Sequence, residues 1–366
     1  MTPRPTRKHQ RGAALLMALI IVTVVSTLAV SMVWQQWRAV QIETAERSRQ
    51  QSAWMLGGAM GWTRDILRGD FRADRGNKGK ASDHLGEAWA APLAEARIST
   101  FLAADKENTD DAPEAFLSGY IEDAQAKFNL LGLVKAGGAA QGGGGSSSSS
   151  SGGAATGSGS SGSGNPGTTN PGAQPNLAQV EAFKRLCALL NLSPSVPQTI
   201  VQGLVEATPP FLTNSSTRPL MPQRLEQLQW FGLDANTIKA LAPYVVLIRD
   251  SNGQNVETPV NLNTASREVL AAALDLNLAT AETLVQARKS NAFSNDNPFG
   301  KFLPARAQGS VVLPPVAWQS SYFVVNGRLR LESQVLEQKS LLYRQPGAPP
   351  KVQILSSEWV NSSDPG

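Results

Sequence analysis

Few side chains in this sequence have the chemistry of a nucleophile, a general base or a soft metal ligand. Cys187 is the one cysteine, and the two histidines are His9 and His84. A single cysteine excludes an intramolecular disulfide and any site built from several thiolates. His84 lies in the charged segment KASDHLGE, far from any nucleophile motif, so a hydrolytic site is poorly supported. Cys187 falls on the apolar side of a predicted helix, which is typical of a buried, unreactive thiol.

Two acidic segments are the other candidates for chemistry, because carboxylates could offer oxygen ligands to a cation. One runs from Asp105 to Glu114, and the other is Asp250-Ser-Asn252-Gly253. Neither has the spacing of a calcium-binding loop, so a solvated surface loop is expected at both places. The sequence therefore directs attention to the elements that anchor and assemble the chain.

The N-terminus has the pattern of a membrane anchor. Residues 13–33 are a run of 21 residues without a charge, and four basic residues and no acid precede them. As a helix this run spans about 31 Å, close to the hydrocarbon thickness of a bilayer. The basic flank predicts that residues 1–12 face the cytoplasm and the bulk of the chain the other side. A secretory signal cleaved near residues 29–31 is the alternative, but the run exceeds the usual length of about 7–15 residues.

Beyond the apolar run, the pattern predicts one long helix. No proline interrupts residues 13–70, and small or apolar residues recur with helical spacing. The Gly57-Gly58 pair is a place where such a helix could kink. A helix of this length extends well past the bilayer into the aqueous compartment beyond it.

A tract of low complexity divides the rest of the chain. Residues 137–164 contain 22 glycine or serine residues in 28 positions, and a stretch rich in proline and asparagine extends the tract to about residue 175. Such a composition cannot bury enough apolar surface to offset the entropy cost of ordering. We expect a disordered linker over residues 132–176 that acts as a spacer.

Strand patterns lie near both ends of the body. Residues 116–122 alternate before the tract, and SYFVV and RLRLESQVL flank Asn326-Gly327, a dipeptide typical of a type I′ hairpin turn. Residues 341–343 and the segment KVQILSSEW predict further strands. We expect all of them to form one antiparallel sheet packed on the N-terminal helix.

Residues 177–315 have helical patterns, and three segments are alike: FKRLCALLNLSPSVPQTIVQGLVE, RLEQLQWFGLDANTIKALAPYV and EVLAAALDLNLATAETLVQARK. Each predicts a helical hairpin that buries an apolar face against the others. Because such hairpins can bind DNA, a membrane-tethered DNA-uptake module is one alternative function. A membrane-anchored periplasmic enzyme is a second alternative. However, the whole excess of 33 basic over 29 acidic residues lies in the first twelve residues. A neutral remainder favours structural packing over phosphate binding.

Several motifs resemble one family, in the order in which that family has them. The segments PVNLNTASREVLAAAL, FNLLGL and SYFVVNGRLRLE are similar to signature segments of the K-type minor pseudopilins of type II secretion systems. Gly12, placed between a basic leader and an apolar run, resembles the class III leader of type IV pilins and pseudopilins. The resemblance covers both ends and the middle of the chain, and the Gly/Ser tract is extra.

The resemblance implies a pilin-like α+β fold, a long N-terminal helix packed on an antiparallel sheet, with a large inserted all-α domain of helical hairpins. It implies this division of the chain: a leader (1–12), the transmembrane and periplasmic halves of the helix (13–34 and 35–70), the first β region (71–131), the linker (132–176), the inserted helices (177–315) and the second β region (316–366).

The resemblance also implies how the N-terminus is processed. A prepilin peptidase would cut after Gly12 and methylate the new N-terminus at Ala13. Major subunits of the family carry Glu at the fifth mature position, where this chain has Met17, and the absence of Glu is typical of K-type subunits. A carboxylate in lipid needs a partner charge. A subunit without one therefore suits the first position, at the tip of the pseudopilus.

Two sets of motif residues are expected to be structural: Phe128, Asn129 and Leu130, and Asn261, Asn263, Thr264 and Ala265. The side chains of Asn261, Asn263 and Thr264 are predicted to cap the helix that begins near Ser266. K-type subunits often carry an acidic run that has been associated with calcium. Calcium is therefore the one cofactor that the resemblance suggests, but the corresponding stretch here keeps only Glu206, which is too few carboxylates for a calcium site.

The implied partners follow from this position. They are the I- and J-type minor pseudopilins, the major pseudopilin, the prepilin peptidase and inner-membrane lipid, with the secretin and exported proteins as further candidates and no nucleic acid. The implied location is the inner membrane, with a single pass and the bulk of the chain in the periplasm.

Overall fold

The computed structural model describes residues 11–76, 81–98, 115–135, 172–208, 219–303, 313–331, 334–347 and 349–360. The expectations for the leader up to residue 10, for the acidic segment 105–114 and for residues 136–171 of the predicted linker lie outside the described residues. At its two ends the expectation of a disordered linker over residues 132–176 is wrong, because Leu133 and Val134 are buried and residues 134–135 pair with residues 174–175. The chain divides into two compact units, residues 1–60 and residues 61–366.

The described residues form six α-helices and eleven β-strands. The helices are α1 (Arg11–Gly76), α2 (Leu177–Leu189), α3 (Ser195–Ala207), α4 (Ala235–Leu241), α5 (Arg267–Leu274) and α6 (Leu278–Ser290). The strands are β1 (Leu93–Arg97), β2 (Ala115–Asp123), β3 (Phe128–Asn129), β4 (Val134–Lys135), β5 (Gln174–Pro175), β6 (Val245–Val246), β7 (Val260–Asn261), β8 (Val316–Ala317), β9 (Tyr322–Leu331), β10 (Gln334–Gln345) and β11 (Lys351–Val360).

The expectation of one long N-terminal helix is confirmed. Helix α1 is 66 residues long and ends at Gly76, a little beyond the predicted end at residue 70. Among the described residues it is the one helix long and apolar enough to cross a membrane. Its large apolar side chains between residues 13 and 33 are 50% to 70% exposed. An apolar surface of this length, left open to its surroundings, fits a single-pass membrane anchor.

The expected antiparallel sheet is confirmed. Its five strands have the order β1-β2-β9-β10-β11, so the two strands before the helical region and the three strands after it join in one sheet through the pairing of β2 with β9. The end of α1 packs on this sheet. Leu67 is fully buried, and Arg64 Nε donates to the carbonyl of Val352 in β11 at 3.0 Å.

The predicted hairpin turn at Asn326-Gly327 is wrong. Strand β9 runs straight through this dipeptide, which pairs with Lys339 and Gln338 of β10, and the chain reverses only between Leu331 and Gln334. Gly327 also faces Gly119 of β2, and a Cβ atom on Gly119 would collide with the carbonyl oxygen of Asn326. The two glycines therefore allow the backbones of β2 and β9 to approach closely in the middle of the sheet, and the chain does not turn there.

The helices between the strands surround their own core, to which Phe183, Leu204 and Leu270 contribute. The first and third predicted hairpins are α2–α3 and α5–α6. The second differs from its prediction, because its first half is a 3-10 helix, Leu225–Phe231, which ends at Gly232 with φ of 91°. Three two-stranded ladders, β3–β6, β4–β5 and β7–β8, connect these helices with the rest of the unit.

Candidate functional site

The motif segment that begins at Pro259 turns its polar side chains inward. Strand β7 pairs in parallel with β8, which places Asn261 in the interior at the start of a turn. Asn263 and Thr264 follow and are also buried, as is Ala265. Helix α5 then begins, and Ser266 caps it by accepting a hydrogen bond from the amide of Val269.

The predicted capping role of Asn261, Asn263 and Thr264 is therefore wrong, because Ser266 supplies the cap itself. The three side chains instead bond to segments far away in sequence. Asn263 binds the loop after α6 in both directions, since its Nδ2 donates to the carbonyl of Phe293 and its Oδ1 accepts from the amide of Phe293. Because Ser266 already caps α5, these side chains can bond to distant segments instead.

Asn261 joins three other segments. Its Nδ2 lies 3.1 Å from the carbonyl oxygen of Asp83, 2.9 Å from Asp123 Oδ2 and 2.9 Å from Ser320 Oγ. Its Oδ1 accepts from the amide of Asn263. The side chain is fully buried, so each of these bonds replaces one to water that folding removed.

Asp123, the last residue of β2, is a buried carboxylate held by hydroxyl groups. Thr264 Oγ1 and Ser320 Oγ each donate to its Oδ2 at 2.6 Å, and the amide of Gln125 donates to its Oδ1. Burial raises the pKa of Asp123 to about 6, although the hydrogen bonds from Ser320 and Thr264 lower it. No cation contacts this carboxylate in the part of the chain described.

Arg344 of β10 supplies the positive charge of the site. One end of its guanidinium donates to both carboxylate oxygens of Asp83 at 2.6 Å and to the carbonyl of Ser320, and the other end donates to Asp70 of α1. The rings of Phe71 and Phe323 lie 5.2 and 4.8 Å from its Cζ. The side chains of Arg344 and Asp83 are 1% and 0% exposed. This is a buried ion pair with additional hydrogen bonds, which is the condition under which such pairs are tolerated.

These contacts define one structure, which we call the polar joint: Asp83, Asp123, Asn261, Thr264, Ser320 and Arg344. It ties together the end of α1, the loop before β1, the end of β2, the motif segment and β10. Its chemistry is that of a structural fastening, since its side chains bond to one another and expose no nucleophile, although the buried Nε of Arg344 has no hydrogen-bond partner among the described residues.

The FNLLGL segment forms a second, neutral fastening. Asn129 Nδ2 donates to the carbonyls of Ile248 and Val256, and its Oδ1 accepts from the amides of Ile248 and Leu131. Phe128 stacks on Phe183 of α2 with ring centroids 5.7 Å apart, and Leu130 is fully buried. The segment thus packs into the core of the helical region.

The remaining candidate residues show no sign of reactivity. Cys187 is buried, and burial raises the pKa of its thiol to about 12. His84 accepts from the amide of Gly86, and burial lowers its pKa. Glu206 is exposed on α3 and bonds to Gln202, and no other carboxylate lies among the described residues of its stretch. The carboxylate of Asp250 accepts from two amides of its own loop, at Asn252 and Gln254.

Sequence reasoning missed the charged members of the polar joint, Asp83, Asp123 and Arg344. A signal for one of them was present. Ser340, Leu342 and Arg344 alternate on the inward face of β10, so an arginine stands at a core position of a strand pattern. A charge at such a position needs a buried partner.

Comparisons with known proteins agree with the motifs. The family model for protein K of the type II secretion system matches residues 260–325, which contain Asn261, Thr264 and Ser320 of the polar joint. The chain is also similar to "Type II secretion system protein K" of Pseudomonas aeruginosa, at 27% identity over 81% of this chain and 78% of that protein.

A solved structure agrees with the fold. One chain of the crystal structure of the GspK–GspI–GspJ complex from the enterotoxigenic Escherichia coli type 2 secretion system matches with a TM-score of 0.54 and 16% identity, covering 87% of this chain and 99% of that one. The resemblance to the K-type proteins of type II secretion is thereby confirmed, and with it the α+β fold of a long helix on an antiparallel sheet with further helices.

Proposed function

We propose that the chain is a minor pseudopilin of a type II secretion system. It caps the tip of the periplasmic pseudopilus together with the I- and J-type minor subunits and supports export of folded proteins across the outer membrane. It is an assembly protein without catalytic activity. The observation that carries the proposal is the exposed apolar surface of α1 between residues 13 and 33, on a chain that resembles protein K.

This surface needs two successive environments. In the inner membrane, lipid chains cover it, with the bulk of the chain in the periplasm. On assembly, the apolar helices of neighbouring pseudopilins replace the lipid, so the subunit leaves the bilayer without exposing apolar side chains to water. The chemistry of the surface is the same in both states.

Met17 determines the position of the subunit in the pseudopilus. A Glu at this position would be paired with the N-terminal amine of a neighbouring helix, whereas a thioether needs no such partner. Met17 is 68% exposed on α1, so its side chain faces lipid or a sibling helix. The subunit therefore fits the place where no earlier subunit offers an amine.

Processing prepares the helix for this step. Cleavage between Gly12 and Ala13 removes a leader that contains all of the excess positive charge, and methylation follows at the new N-terminus. The helices of residues 177–315 form the inserted domain at the outer end, where their bulk stops growth of the lattice and offers a surface to the secretin and to exported proteins. The motif residues of the polar joint and of the FNLLGL segment hold this domain on the pilin-like part.

The first test is the intact mass and N-terminal sequence of the protein extracted from membranes, with and without the prepilin peptidase. A methylated Ala13 as the first residue is expected with the peptidase, and an uncleaved leader without it. A mature chain that begins near Met32 and lies free in the periplasm would contradict the proposal.

The position at the tip is tested by Met17→Glu, with Met17→Leu as the matched control. Met17→Glu is expected to remain in the membrane but to reduce copurification of the I- and J-type subunits and secretion, whereas Met17→Leu leaves both unchanged. Unchanged copurification and secretion in Met17→Glu would remove the argument for the tip.

A further inference from the structure

Three carboxylates meet beside the polar joint. Asp70 and Asp74 lie one turn apart near the end of α1, and Glu87 follows the loop of residues 81–86. One oxygen of each lies within 4.8 Å of the others. We call residues 81–87, which include Glu87 and lie in sequence between α1 and β1, the connecting loop.

Among the described residues, the three carboxylates have fewer positively charged partners than they have negative charges. Arg344 contacts Asp70, but it also carries the whole of the ion pair with Asp83. His84 Nε2 lies 3.8 Å from Glu87 Oε1, and burial disfavours its charged form. Asp83 adds a further negative charge close to all three carboxylates. In the part of the chain that the structure describes, the other charged groups are Arg288, Lys289 and Asp296, which line the adjoining cavity.

The cavity gives the connecting loop room to move. It has a volume of about 900 Å³ and lies between the loop and the segment after α6. The guanidinium of Arg288 on its far wall is already bonded to the carbonyl of Leu262. Among the described residues, neither Arg288 nor Lys289 forms an ion pair with the three carboxylates, whose charged contacts are those of Asp70 with Arg344 and of Glu87 with His84.

We propose that the connecting loop is a proton-dependent latch. While Asp70, Asp74 and Glu87 hold protons, their mutual repulsion is small and the loop stays closed on the end of α1. When the protons leave, repulsion between the carboxylates of α1 and that of the loop moves residues 84–87 toward the cavity that they line, while Asp83 stays paired with Arg344.

The direction of the pH dependence follows from the environment of each group. Burial, followed by the nearby negative charge of Asp83, raises the pKa of Asp70 to about 6. Burial and then Asp70 raise the pKa of Asp74 to about 6 and that of Glu87 to about 8. The folded chain therefore binds more protons than the unfolded chain in this range. The stabilisation is complete below the ordinary pKa values of these groups and is lost as the pH rises through 6 and then through 8.

Glu87 couples this titration to the packing of the loop. Its Oε2 accepts hydrogen bonds from Trp89 Nε1 and from the amide of His84. Trp89 is buried against Phe323 of β9 with ring centroids 5.3 Å apart, and the amide of Asp83 donates to the carbonyl of Trp318. Movement of Glu87 thus disturbs contacts that run from α1 to the sheet.

The experiment compares thermal unfolding of the full-length protein in detergent micelles at pH 6 and pH 9. The wild type is expected to lose about 5 °C in Tm between them. Glu87→Gln keeps the shape and the acceptor for Trp89 but cannot ionise, so its loss should be less than half as large. Glu95→Gln is the matched control, because Glu95 is an exposed residue of β1 paired with Arg330, and it should behave as the wild type.

Hydrogen exchange of the connecting loop gives a second measurement. After correction for intrinsic exchange, the amides of residues 84–90 should exchange about tenfold faster at pH 9 than at pH 6 in the wild type, and not in Glu87→Gln. Equal pH dependence of Glu87→Gln and the wild type in both measurements would overturn the latch. If calcium chloride at about 1 mM removes the pH dependence of the wild type, the carboxylates favour a cation over protons and the latch is equally overturned. Neither result bears on the proposed role in secretion.

Discussion

Two buried asparagines, Asn129 and Asn261, hold the helical region in place by different means. Asn129 bonds to main-chain groups alone, at Ile248, Val256 and Leu131. Asn261 bonds to a carboxylate, a hydroxyl and two main-chain groups. The first fastening contains no titratable group, whereas the second is continuous with Asp123, Asp83 and Arg344. The comparison indicates that one side of the helical region is held independently of pH and the other is not.

The largest effect is expected from Arg344→Met. This change leaves the carboxylate of Asp83 buried without its partner, which costs about 3–5 kcal/mol of unfolding free energy. Urea denaturation measures the loss. Arg330→Met is the matched control, since Arg330 pairs with Glu95 at the surface and should lose no more than about 1 kcal/mol. Equal losses of unfolding free energy in the two variants would show that the buried ion pair of the polar joint stabilises the fold no more than a surface ion pair does.

A smaller loss, the same at all pH values, is expected from Asn129→Ala. The change leaves the carbonyls of Ile248 and Val256 and the amide of Ile248 without their partner, at a cost of about 3 kcal/mol. Unfolding at pH 5 and at pH 8 measures it. A cost that changed by more than about 1 kcal/mol between the two would contradict a neutral fastening.

The smallest effect is expected from Asp123→Asn, which alters pH dependence more than stability. Because burial raises the pKa of Asp123 to about 6, ionisation of this group removes stability as the pH rises from about 4 to above 6. The variant cannot ionise, so it should lose about 2 kcal/mol less than the wild type over this range. Denaturation at a series of pH values measures the difference. If the unfolding free energy of Asp123→Asn fell with pH as steeply as that of the wild type, the pH-dependent stability would come from another group.

The sequence predicted the main elements because their patterns are local. The charge-free run, the alternation of residues 116–122 and the apolar periodicity of α2 and α3 each lie within one segment. The prediction of a hairpin turn at Asn326-Gly327 was wrong for the same reason. Its turn propensity is local, but β2 and β10 pair with it from both sides and hold the backbone extended.

The candidate site was predicted only in part, because its partners are distant in sequence. The position of Asn261 in a motif was visible, but the oxygens that it binds belong to residues 83, 123 and 320. The capping prediction failed at Ser266, since any of several neighbouring polar residues could have filled that position. Only the fold brings Arg344 to Asp83.

Strand β2 pairs along its whole length with β9, and Asp123 lies opposite Phe323 at the end of the ladder. Topologically, everything from residue 124 to residue 322 is thus the loop of a single β-hairpin. The free energy of closing a loop grows only logarithmically with its length, by about 0.6 kcal/mol for each doubling. An extra stretch of glycine and serine inside so large an excursion therefore adds almost nothing to the cost of closure, and the scaffold can tolerate expansion or contraction of that tract between homologous chains.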